Sequence, residues 1–388
     1  MSRRQPGLAT RAIHGEPHPK PVGAPVVAPI YQSTTFANPP GGTPEGVLYT
    51  RYGNTPNQLA IGERLAALEG AEGALFLGSG MGATAMAHLA VLHPGDHLLS
   101  SNWIYGGTRR LFNEEFHRLG IDVSYVTPSD PRNWRRQLKK NTRAVFVEIV
   151  TNPLIRVVDI DYLATFCREL GISLLVDSTF ATPVNCRPLE HGADVIIHSA
   201  TKYLNGHSDV IAGAVVGDQP IVDEVRRLMT LWGPAIDPHQ AWLVERGLKT
   251  LTIRMERHNA NGLAFARWAV DHPAVAEVWY PGLEQHPDHE VAVQILDGFG
   301  GMVALRLKAG AAAVQTVLKH LELVTHAPSL GGPESLVSVP RFTSHTGMSD
   351  AELDDQGVTD NLLRVSVGIE DVQDIIADFE AAFAQLRP

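Results

Sequence analysis

A chain of 388 residues, 44% apolar and 19% charged, is long enough to bury a full core, and this balance excludes disordered and fibrous classes. A formal charge of −10 argues against broad nucleic-acid binding, which needs lysine and arginine gathered on one face. Two cysteines, Cys167 and Cys186, make no disulfide framework and suit a reducing compartment. There is no stretch of about 18 apolar residues, and no apolar run follows the basic start Arg3-Arg4, so a cytoplasmic location without membrane contact is expected.

Residues 1–52 read as an extended arm. Pro17, Pro19, Pro21, Pro25 and Pro29 lie close together and leave little room for regular structure. Ile30, Tyr31 and Phe36 need a surface to bury against, on this chain or a neighbouring one, which favours an oligomer. From about residue 57 helical periodicity alternates with short apolar runs, the pattern of an α/β domain with a mainly parallel sheet. Gly73–Leu77, His97–Ser100, Ala144–Glu148, Ser173–Asp177 and Asp194–His198 are the expected strands, buried on both faces. Leu59–Leu68, Met81–Leu92, Thr108–Leu119 and Tyr162–Leu170 are the crossover helices between them. Beyond Pro238 a long helical stretch through Trp242, Leu248 and Met255 towards Val270 ends near His272-Pro273. Residues 53–246 are thus expected to form the large domain, and 247–388, with a strand at 301–307 and helices at 311–320 and 371–386, a smaller α+β domain.

Functional groups of open parallel sheets gather beyond the C-terminal strand ends. Asp177 follows Leu174-Leu175-Val176, and the next strand runs into His198-Ser199-Ala200-Thr201-Lys202-Tyr203. An amine able to form an imine, beside a carboxylate able to keep a pyridine nitrogen protonated, points to pyridoxal 5'-phosphate. Such a charge-assisted hydrogen bond contributes about 1.5–3 kcal/mol. Ser79-Gly80-Met81-Gly82 leads from a strand into a helix, whose amides and dipole suit a phosphate; Ser199 and Thr201 could add hydroxyls. The glycines at 78, 80 and 82 miss the dinucleotide-binding spacing, which weighs against a nicotinamide oxidoreductase. Tyr105 is placed to stack on a cofactor ring. Arg364 stands alone in the apolar run Leu362–Val367, where a substrate carboxylate would balance its charge. His286-Pro287-Asp288-His289-Glu290 lacks helical metal-ligand spacing and reads as a solvated loop, so no metal is expected.

Ser79–Ala83, Ser199–Asp209 and Ser329–Leu336 together resemble the Cys/Met-metabolism family of pyridoxal-phosphate enzymes, closest in motifs to cystathionine γ-synthases and γ-lyases. The resemblance spans about Thr10 to Glu380. It implies fold type I, a cytoplasmic homotetramer of two catalytic dimers, and an amino-acid substrate. It makes Lys202 the Schiff-base lysine and Asp177 the partner of the ring nitrogen. Tyr105 stacks on the ring and is a candidate base. Gly80, Met81, Thr179, Ser199 and Thr201 belong to the cofactor site, and Tyr49 and Arg51 reach the phosphate from the adjacent subunit. Arg364, Ser329 and Asn152 hold the substrate carboxylate, and Glu148, in Glu-x-x-x-Asn-Pro, lines the pocket. Arg110 faces the distal end of the substrate, and Glu334 is associated with γ- rather than β-chemistry. Methionine γ-lyases usually carry cysteine where this chain has Gly107. The departures are Asn54-Thr55-Pro56-Asn57, Ser178, and the loop Pro340–His345 with Arg341 and Phe342, which bear on the substrate more than on the cofactor. The expected reaction is γ-elimination or γ-replacement on a sulfur-containing or O-acyl-homoserine-type amino acid. Methionine γ-lyase, cystathionine β-lyase and sulfhydrylase activities stand as alternatives.

Overall fold

The computed structural model describes residues 6–15, 21–37, 40, 46–128, 131–346 and 348–386; Arg3-Arg4, Pro17 and Pro19 lie outside these. Seven strands, β1 (Gly73–Leu77), β2 (His97–Ser101), β3 (Asp122–Val126), β4 (Thr142–Glu148), β5 (Ser173–Asp177), β6 (Val195–His198) and β7 (Gly213–Gly217), form one sheet in the order β1-β7-β6-β5-β4-β2-β3. Strand β7 pairs antiparallel with both β1 and β6, and the pairs from β6 to β3 are parallel. Alternation along β5 sends Leu174 and Val176 into the core on one face and Leu175 into that on the other, so the sheet is buried from both sides. In the β4–β5 register Glu148 stands opposite Asp177, which sets two carboxylates side by side at the strand ends.

The second sheet is built from β8 (Val275–Trp279), β9 (Met302–Leu307), β10 (Thr325–His326), β11 (Leu336–Ser338) and β12 (Leu362–Ser366), in the order β10-β11-β12-β9-β8. Two helices, Gly310–His320 and Val372–Phe383, contribute Val314, Val317, Ile375 and Phe379 to its core. The single helical stretch expected beyond Pro238 towards Val270 is two helices, Pro238–Leu248 and Leu251–Asp271. The break frees the Gly247 carbonyl to accept from Arg254 at 2.9 Å, and Arg254 also binds the carbonyls of Tyr203 (2.8 Å) and Leu204 (3.4 Å). One buried guanidinium therefore ties the segment after Lys202 to this junction.

The helix expected over Thr108–Leu119 starts at Gly106 and widens into a π-turn at Phe112–Phe116, where both rings pack against His88 (4.9 and 5.8 Å). Among the described residues the arm carries the α-helix Leu8–His14, held to the helix Pro56–Glu69 by Arg11 on the Ala67 carbonyl (2.7 Å) and Arg64 on the Ala12 carbonyl (3.0 Å). Further along, the Tyr31 amide donates to Asn57 (2.8 Å) and Trp242 to the Ala28 carbonyl (2.8 Å). The backbone is thus anchored on its own body, yet Ile30 and Tyr31 stay exposed and Phe36 half-buried. No helix among the described residues is long and apolar enough to cross a membrane.

Candidate active site

A cavity of about 570 Å³ opens at the C-terminal ends of β4, β5 and β6 and is closed by the second sheet. Ser79, Gly80, Met81, Tyr105, Glu148, Asn152, Asp177, Thr179, Ser199, Thr201, Lys202, Ser329 and Arg364 all line it. The amine of Lys202 donates to the Ser329 hydroxyl at 2.9 Å. Burial, reinforced by the Arg364 charge, lowers its pKa to about 8. Arg364, nearly fully buried on β12, donates to the Asn152 side chain (2.9 Å) and the Ser329 carbonyl (3.3 Å). Its Nε has no protein partner, which leaves capacity for an anion.

Burial pushes the Asp177 carboxyl upward in pKa, countered by hydrogen bonds from Thr179 and by the charge of His198. No lysine or arginine pairs with it among the described residues. Glu148 is raised well above the usual range, first by burial and then by Asp177. Its carboxylate accepts from the Tyr105 amide (2.6 Å) and the Asn152 amide (3.2 Å), so one buried acid fixes both lining segments.

The third strand end caps the helix Gly80–Val91, with the Ser79 hydroxyl accepting from the Gly82 amide at 3.0 Å. First-turn amides of a helix lack intrahelical acceptors and present positive potential. Gly80 lies so close to Ser199 that an added Cβ would stand 2.7 Å from its hydroxyl. Thr179 accepts from the Ser199 amide at 2.8 Å, and Thr201 is held at the Ala212 backbone (3.0 and 3.1 Å).

The family model for Cys/Met metabolism PLP-dependent enzymes matches residues 9–384. The chain belongs to that family. It is 40% identical over 397 residues to an L-methionine gamma-lyase of Fusobacterium nucleatum, covering all of both chains. It is 41% identical to a cystathionine beta-lyase of Coxiella burnetii, covering 97% of each. A crystal structure of cystathionine gamma synthase from Xanthomonas oryzae pv. oryzae, in complex with aminoacrylate and cysteine, superposes with a TM-score of 0.94 at 35% identity, over 97% of this chain and 98% of that one. The protein is therefore a pyridoxal-phosphate-dependent enzyme of amino-acid metabolism with the α/β architecture of fold type I.

The residues present fit this family's cofactor. Lys202 offers a buried amine of lowered pKa, Asp177 a buried carboxylate that a cationic ring would neutralise, and the turn at Gly80 a donor-rich cradle that a Cβ would invade.

Two residues expected in this chain's cavity, Arg110 and Glu334, stand outside it. Arg110 points outward, its side chain 73% exposed and paired with Glu114 at 2.8 Å, because the turn after Tyr105 directs Thr108 into the cavity instead. Its neighbour Arg109 is pinned to Glu352 at 3.0 Å over the Tyr125 ring. Glu334 is exposed and lines no part of the cavity, since the next residue, Ser335, is tied back by Glu370 at 2.6 and 3.0 Å. Tyr49 and Arg51 do not line this chain's cavity; Arg51 binds the Thr230 carbonyl. Asp288, in the histidine-rich loop, is gripped by Arg156 at 2.6 and 2.8 Å and serves as a structural anchor. Sequence reasoning missed Val150, Phe180, Ile211 and Pro328 in the lining. A strand-end position could have flagged Val150, whereas Ile211 carries no motif signal.

Proposed function

We propose that this enzyme catalyses γ-elimination or γ-replacement on a sulfur-containing or O-acyl-homoserine-type amino acid. The observation that carries the reading is the juncture at Ser329: its hydroxyl takes the Lys202 amine and its carbonyl takes Arg364. A carboxylate on Arg364 brings the adjacent Cα hydrogen beside that amine.

Bound pyridoxal phosphate supplies an electron-withdrawing ring that makes hydrogens on the neighbouring substrate carbons acidic. Lys202 Nζ would bond its aldehyde carbon, Asp177 would keep its ring nitrogen protonated, and Gly80, Met81, Ser199 and Thr201 would hold its phosphate. Tyr49 and Arg51 would join the phosphate from an adjacent subunit of a homotetramer, a role supported by their place outside their own chain's cavity and by the exposed arm residues Ile30 and Tyr31. Arg364 and Asn152 orient the substrate carboxylate. Tyr105 acts as base towards the incoming ammonium, its phenolate oxygen taking the proton. Once the substrate amine has displaced it, Lys202 Nζ would accept the proton from Cα as a neutral amine, pass it on to the cofactor, and then accept one from Cβ, so that a leaving group at Cγ departs with its bonding electron pair. The γ-preference rests on the resemblance of Tyr105–Phe112 to the γ-type enzymes; separately, a Cβ at Gly107 would stand 2.4 Å from the Tyr105 ring, so the cysteine usual in methionine γ-lyases would need that ring to move.

A panel of L-cystathionine, L-methionine, L-homocysteine, and O-acyl-L-homoserines with and without L-cysteine tests the reading. The expected products are 2-oxobutanoate or a γ-substituted amino acid. Pyruvate as the sole keto acid from cystathionine would overturn it.

A further inference from the structure

We infer that the cavity mouth selects amino acids whose side chain ends in an uncharged apolar group over those whose side chain ends in an anion. This rests on the amino-acid reading above and names the class of side chain within it. The lining divides by depth. Glu148, Asn152 and Arg364 are each about 95% buried and form the floor, whereas Phe342, Ile211 and Tyr105 line the same cavity at 62%, 61% and 41% exposure and mark its mouth. A substrate held by its α-carboxylate on Arg364 must direct its side chain outward, towards those three residues.

At that end an anion meets ring and aliphatic carbon. The described cations that line the cavity are Lys202 and Arg364, both engaged at Ser329. The arginines beside the mouth segments are already paired: Arg341 with Asp350 (2.5 Å) and Asp360 (2.9 Å), Arg109 with Glu352 (3.0 Å), and Arg110 with Glu114 (2.8 Å). An anionic tail would therefore lose hydration with no unpaired cation among this chain's described lining residues to receive it, and the Arg51 reaching in from an adjacent subunit would be taken by the phosphate, while a methyl or thioether gains contact with Phe342. Arg341, in the loop whose departures bear on the substrate, is paired with two carboxylates outside the cavity, and the neighbouring Phe342 lines it instead.

The test is an absorption titration of the holoenzyme with L-norleucine and with L-2-aminoadipate, tails of similar length that differ in charge. Neither carries a γ-leaving group, so the result is independent of which reaction the enzyme performs. Norleucine is expected to bind at least about tenfold tighter. Phe342→Ala should narrow that ratio and Phe342→Arg should invert it; Phe342 is exposed, so neither change disturbs the core. Equal or tighter binding of aminoadipate by the unaltered enzyme, or a ratio unmoved by Phe342→Arg, would overturn the inference while leaving the γ-reading intact. Failure of both amino acids to bind would overturn it together with the role given to Arg364.

Discussion

Lys202 and Ser329 meet across the two sheets at 2.9 Å, and Ser329 sits at a backbone φ of 88°, the left-handed region that non-glycine residues seldom occupy. That conformation turns the hydroxyl to Lys202 while the carbonyl faces Arg364. Ser329→Ala removes the first contact and keeps the second. A fall in kcat of about tenfold is expected, the scale of one hydrogen bond to a charged group, with KM changed much less. Steady-state kinetics with any accepted substrate decide it, and a raised KM at unchanged kcat would assign Ser329 to binding alone.

The lowered pKa of Lys202 gives a pH dependence with a definite sign. Burial disfavours the ammonium, so the amine is neutral above a pKa of about 8 rather than the usual 10.5. Only the neutral form attacks an aldehyde. The rate at which the cofactor-free protein captures pyridoxal phosphate should rise with pH and level off above about 8, followed by absorbance in stopped flow. Borohydride reduction of the loaded enzyme should then fix the cofactor on Lys202, and Lys202→Ala should take up no label. A capture rate still rising steeply at pH 9.5, or a label mapped to another lysine, would refute the assignment.

The strand ends that carry this chemistry were legible because the sequence writes them locally. An apolar run followed by Asp177, and another followed by Ser199–Lys202, show both the strand and the group beyond it. Strand β7 was not legible: Gly213-Ala214-Val215-Val216-Gly217 is bounded by glycines, and its place between β1 and β6 depends on pairing with residues far away in the chain. Strand β3 was missed because Asp122 is exposed and Val123–Tyr125 are only partly buried. The choice between Arg109 and Arg110 depends on helical phase relative to Glu352, more than 240 positions downstream, which periodicity cannot reveal. The arm helix Leu8–His14 begins at Gly7 without a side-chain cap, so the usual start signal is absent.

Gly80 tests the phosphate cradle separately from the amine. An alanine there would place its Cβ 2.7 Å from the Ser199 hydroxyl and 3.1 Å from the Ser199 Cα, so rotating the serine side chain cannot relieve the clash. The helix start or the Ser199 segment must shift by several tenths of an ångström. Affinity for pyridoxal phosphate, measured by fluorescence titration of the cofactor-free protein, is expected to weaken by at least about tenfold in Gly80→Ala, because a displaced charged hydrogen bond is worth that much or more. Unchanged affinity would mean the phosphate sits elsewhere.

Behind the site, His198 Nε2 lies 2.6 Å from Glu69 Oε1, with both side chains wholly buried. His198 ends β6 immediately before Ser199, and Glu69 ends the helix Pro56–Glu69, so the pair joins the cofactor segment to the helix that anchors the arm. Removing one partner of a buried pair leaves the other without compensation, which typically costs about 3–5 kcal/mol. Glu69→Ala should therefore lower the stability of the cofactor-free protein by about 3 kcal/mol in urea denaturation. Glu69→Gln keeps a carbonyl acceptor of nearly the same shape and should lose about 1 kcal/mol. Equal losses in the two variants would show that packing rather than the polar contact holds this junction. If the contact does position Ser199, the alanine variant should also release pyridoxal phosphate faster on dilution than the glutamine variant, a difference that a purely global loss of stability would not produce under conditions where both remain folded.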